Sequence, residues 1–152
     1  MRVRVAAFAA IALWSVAIVA AQSKVTTVEE LDKTMKKVGP ASQTMGKAAG
    51  SGAWADVRTA LATMKQGVSD AENFWILNKR EDAQKFTKDV LAKIDAAAKL
   101  VATDPADAAA TTAAVTAIKE IGATCRQCHM VYRTQDANQN YILKPGSIGG
   151  GH

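Results

Sequence analysis

The chain has 152 residues, a formal net charge of +5 and only 5% aromatic residues, a size that suits one compact domain. A charge so small does not argue for a nucleic-acid partner. Abundant alanine, with glycine and proline confined to a few places, favours helices over sheets, so the expected class is all-α.

The opening stretch "MRVRVAAFAAIALWSVAIVAAQ" has a basic start at Arg2 and Arg4, an apolar run from Val5 to Ala21 broken only by Ser15, and small residues at its end. It reads as a cleavable secretory signal peptide over residues 1–21, with cleavage before Gln22. An uncleaved membrane anchor is the alternative, since the run approaches the lower limit for spanning a bilayer. No other apolar run is long enough to cross a membrane, so no stable membrane insertion is expected after cleavage. Loss of Arg2 and Arg4 brings the formal charge to about +3.

Residues 22–135 read as four helices. Thr27 to Glu30 form a T-x-x-E capping box that opens the first, whose apolar stripe runs Leu31, Met35, Val38, Ser42 and Met45. "GSG" at Gly50 to Gly52 ends it. Pro40 within this helix removes a donor to the carbonyl of Lys36 and should kink the helix just past Met35, with Gly39 permitting a close approach. The second helix repeats Trp54, Val57, Leu61, Met64 and Val68. Asn78 is the expected cap of a third, burying Phe86, Val90, Ile94, Ala97 and Val101. Asp104-Pro105 is the expected start of a long fourth, with Ala114, Ile118, Ile121, Cys125, His129 and Tyr132 on its inner face. Short connections imply an antiparallel, up-down-up-down four-helix bundle. Residues 136–152, polar and then Gly-rich, read as a flexible C-terminal tail, and His152 in it is assigned nothing.

The chemistry is concentrated in "CRQCHMVYR", Cys125 to Arg133, which holds both cysteines of the chain. On a helix, positions i, i+3 and i+4 share a face, so Cys125, Cys128 and His129 point the same way. C-x-x-C-H is the attachment sequence for a c-type haem: two thiols bind the porphyrin edge and the adjoining imidazole reaches the iron. A redox dithiol lacks the neighbouring strand-helix-strand pattern, and zinc would need a fourth ligand from His152 or a carboxylate. A chance match without haem is the remaining alternative. Haem is attached to such motifs outside the cytoplasm, which agrees with the leader and points to the periplasm.

The export signal, the four helices, "GATCRQCHMVYR" near the chain end and "MKKVG" at Met35 to Gly39 together resemble the class II c-type cytochromes, the cytochrome c′ and cytochrome c-556 family. The resemblance covers residues from about Thr27 to Arg133 and implies one covalently attached haem c in an antiparallel four-helix bundle, with His129 as proximal ligand. It places Met35 at the distal position, where a methionine gives low-spin iron suited to electron transfer. Without a sixth ligand the family instead has five-coordinate iron that binds nitric oxide or carbon monoxide. Arg133 is a candidate partner for a haem propionate, and Tyr132 a packing aromatic beside the haem. Lys36, Lys37, Lys47 and Lys119 offer a basic face for redox partner proteins. Family analogy allows a homodimer through the first two helices. No nucleotide loop or acid-base pair supports an enzyme.

Overall fold

The computed structural model describes residues 25–149, so the expected leader and His152 lie outside the described residues. Four helices account for most of the described residues: α1 (Val28–Ser51), α2 (Trp54–Leu77), α3 (Glu81–Leu100) and α4 (Ala108–Tyr132), followed by strands β1 (Arg133–Gln135) and β2 (Tyr141–Leu143). Among the described residues no helix is long and apolar enough to cross a membrane.

The first helix begins as its sequence requires. The Thr27 hydroxyl accepts from the Glu30 N–H at 3.2 Å, while the Glu30 carboxylate accepts from the Thr27 N–H at 3.1 Å and the Thr26 N–H at 2.8 Å. These bonds satisfy donors that a helix start leaves free and hold the Glu30 carboxyl below its ordinary range. Gly52, at φ 76°, ends α1 in a left-handed conformation that a side chain would resist. Pro40 sits exposed within α1, which continues through it to Ser51.

Each helix packs on the next, and α4 closes the ring against α1. Two buried clusters fill the interior. The larger joins Met45 and Ala48 near the end of α1 to Trp54 and Val57 at the start of α2, Ala97 at the end of α3 and Ala114 and Ile118 in the first half of α4. The smaller gathers Leu31 from the start of α1, Phe74 and Trp75 from the end of α2, Ala83 from the start of α3 and Tyr132 from the end of α4. Helix starts meet helix ends at both poles, which is the alternation of direction that an antiparallel bundle demands.

Two local readings are corrected. Asn78 does not open α3; it closes α2, its side-chain amide donating to the Phe74 carbonyl at 2.8 Å, and α3 starts behind Arg80 with no side-chain cap. The cap of α4 is Asp107, accepting from the Ala110 N–H at 2.8 Å, while Asp104 pairs with Arg58 at 2.8 Å. The close approach between α1 and α2 is made at Gly67, where a Cβ would lie 2.4 Å from Val38 Cγ2. Helices α1 and α2 therefore touch through a glycine of α2.

The segment expected as a flexible tail forms the second strand of a hairpin. Arg133 pairs with Leu143 and Gln135 with Tyr141, and the Asp136 carboxylate accepts from the backbone N–H groups of Asn138 and Asn140 at 2.8 and 2.9 Å. Beyond it, Leu143 and Ile148 pack on the smaller cluster, and the Lys144 N–H donates to the Tyr132 carbonyl at 2.8 Å. Residues after the motif thus seal the end of the bundle where α4 finishes.

Candidate functional site

The last two turns of α4 carry the C-x-x-C-H residues at the junction of the two clusters. Cys125 packs against the larger cluster and Cys128 against the smaller; Met35, on α1, packs against both. Both cysteines are free thiols and half-buried. At this junction the thioether of Met35 and the thiols of α4 border the same pieces of core.

Burial raises the Cys125 thiol above its ordinary range. Burial, reinforced by the charges of Cys125 and Asp82, pushes Cys128 up to about 11. Near neutrality both therefore stay protonated. The His129 imidazole moves the other way: burial, then the positive charge of Arg133, lowers it, so its neutral, ligand-competent form is favoured. Among the described residues no three His, Cys, Asp or Glu side chains are grouped so as to hold a metal ion. The side chains gathered here, two thiols, an imidazole whose neutral form is favoured and a thioether, are of the donor types that can hold haem c.

The other methionines occupy different places. Met45 and Met64 are fully enclosed in the larger cluster, and Met130 is 64% exposed. Arg133 stands at the end of α4 with its guanidinium 3.9 Å from the centroid of the Tyr141 ring. It joins Arg126, His129 and Met130 of α4 and Thr134, Gln135 and Tyr141 of the hairpin around an open cleft of about 360 Å³. Of the four lysines expected to form a docking face, Lys36 is paired with Asp32 at 2.6 Å.

Two clamps around the motif escape sequence reading. In one, Arg80 donates to the Tyr132 hydroxyl at 3.0 Å while the Tyr132 ring lies 4.8 Å from that of Trp75. In the other, the Lys93 ammonium donates to the Thr124 hydroxyl at 2.8 Å and pairs with Asp89 at 3.3 Å, tying α3 to the residue just before Cys125. Arg80 and Lys93 look like ordinary surface cations along the chain, and only the packing of distant helices reveals their partners. The hairpin did have a signal: "TQDANQNYIL" sets an Asp/Asn-rich turn between residues of strand propensity. Comparison of the chain with protein-family models, with curated proteins and with solved structures finds no match.

Proposed function

We propose that this chain is a periplasmic mono-haem c-type cytochrome that carries electrons, as the resemblance to the class II family implies. The observation that carries the reading is the conjunction of C-x-x-C-H on one face of α4, two free half-buried thiols, and Met35 bordering the same junction of the core. Haem, when bound, supplies a one-electron centre that needs no proton or substrate chemistry from the protein. Cys125 and Cys128 hold it by thioether links, and His129 offers a neutral imidazole to the iron. Met35 offers a soft thioether that favours the ferrous state and raises the potential relative to a second nitrogen or oxygen donor. The apolar residues of both clusters limit water at the junction, and the Arg80 and Lys93 clamps hold the α4 turn that bears the ligands.

The test is the visible spectrum of protein matured with a cytochrome c maturation system, recorded reduced, with and without carbon monoxide. A sharp low-spin reduced spectrum that carbon monoxide leaves unchanged is expected. Protein isolated from such cells with no haem overturns the reading, and a high-spin spectrum that responds to carbon monoxide replaces electron transfer by gas binding.

A further inference from the structure

We propose that the cleft between the end of α4 and the hairpin is a docking surface for a protein partner that presents carboxylates around an apolar centre. Its charge is one-sided: Arg126 and Arg133 both line it, and no carboxylate does. Neither guanidinium has an ion pair among the described residues, although six such pairs occur elsewhere. The Arg133 guanidinium lies 3.9 Å from the centroid of the Tyr141 ring, a contact with the ring face that leaves its N–H groups available to a carboxylate. The nearby charges are already engaged. Asp136 is bound within its own turn, and the Lys144 ammonium donates to the Met130 carbonyl at 2.6 Å.

The apolar half of the surface is equally plain. Met130 is 64% and Tyr141 56% exposed, and arginine, tyrosine and methionine are the residue types enriched where protein partners meet. Two unpaired guanidiniums are fewer cations than an anionic bilayer ordinarily recruits, which favours a protein over a membrane. The claim concerns binding alone and does not rest on the haem reading: where a haem propionate takes Arg133, Arg126 remains the cation that the cleft offers a partner.

The chain has two tyrosines, and they serve as probe and control. Tyr141 lines the cleft while Tyr132 is 2% exposed in the core. The full mature protein is labelled with fluorotyrosine, kept reduced, and titrated with short synthetic peptides that alternate leucine and tryptophan with glutamate, glutamine or lysine. The glutamate peptide should shift the Tyr141 fluorine resonance, leave Tyr132 in place, and lose its effect at high salt. Arg126→Gln should weaken that binding about tenfold, with an unmoved Tyr132 resonance reporting an intact fold. No Tyr141 shift at millimolar glutamate peptide, equal shifts with the lysine peptide, or a response to anionic vesicles but not to the peptide overturns the proposal. Haem staining of the same samples reads the haem assignment separately, so either can fail alone.

Discussion

Arg80 and Tyr132, 52 residues apart, are joined by a 3.0 Å hydrogen bond across the end of the bundle, with the guanidinium carbon 5.2 Å from the ring centroid. Arg80 also reaches Asp82 at 3.4 Å. The contact pins the final turn of α4 to the connection between α2 and α3. Burial, and then the hydrogen bond with Asp82, push the Tyr132 hydroxyl up to about 12. A group whose pKa is raised on folding favours the protonated native state. This contribution is complete below the unfolded value near 10 and is lost as pH rises through the folded value. Tyr132→Phe should remove that alkaline loss between the two values and lower stability at neutral pH by about 1 kcal/mol. Denaturant unfolding at a series of pH values checks both; a Phe variant with the same alkaline slope as the parent contradicts the assignment.

Gly67 and Val38 set how closely α1 and α2 approach. Alanine at 67 would bring its Cβ within 2.4 Å of a Val38 methyl, on a β-branched side chain with little freedom to turn away. Overpacking costs roughly 1–3 kcal/mol, against about 1 kcal/mol gained from alanine's better helix propensity. Gly67→Ala should therefore destabilise by about 1 kcal/mol, while Gly39→Ala, with nothing within 4 Å, should stabilise. Thermal unfolding of the two variants checks the opposed signs.

The sequence announces the helices more clearly than their joints. The capping box at Thr27 and the Gly52 stop involve residues within one turn of each other, so local chemistry decides them. Asn78 and Asp104 are different: each is a competent N-cap, but Asn78 lies within reach of the end of α2, and Asp104 is taken by Arg58, 46 residues away. The choice between such partners depends on how helices pack. The same holds for the hairpin, whose three-residue strands are too short to stand alone and rely on Leu143 and Ile148 meeting the smaller cluster. At the candidate site, the i, i+3, i+4 spacing of Cys125, Cys128 and His129 was legible because α4 alone produces it. The Arg80 and Lys93 clamps were not, because their partners lie on other helices.

Replacing both Cys125 and Cys128 by alanine should abolish covalent haem, read as loss of haem stain after denaturing electrophoresis and after acid-acetone extraction. Each single variant retains one thiol and hence one possible link. Both side chains are half-buried against different clusters, so the double variant without haem should lose roughly 1–2 kcal/mol. Haem that stays with the double-alanine chain through denaturing electrophoresis rules out these thiols as the attachment points.

Met35→Leu separates the sixth ligand from its packing. The side chain is half-buried where both clusters meet, and leucine keeps its volume, so the fold should survive at a cost below about 1.5 kcal/mol. What leucine lacks is the thioether. If that sulfur ligates the iron, the variant should turn high-spin, bind carbon monoxide rapidly and fall in potential, because the ferrous form loses its soft partner. Met64→Leu is the matching control: Met64 is fully enclosed in the larger cluster, and its replacement should leave the spectrum alone. A Met35→Leu protein that remains low-spin excludes Met35 as the ligand, and a low-spin spectrum lost in Met64→Leu instead moves the ligand to α2.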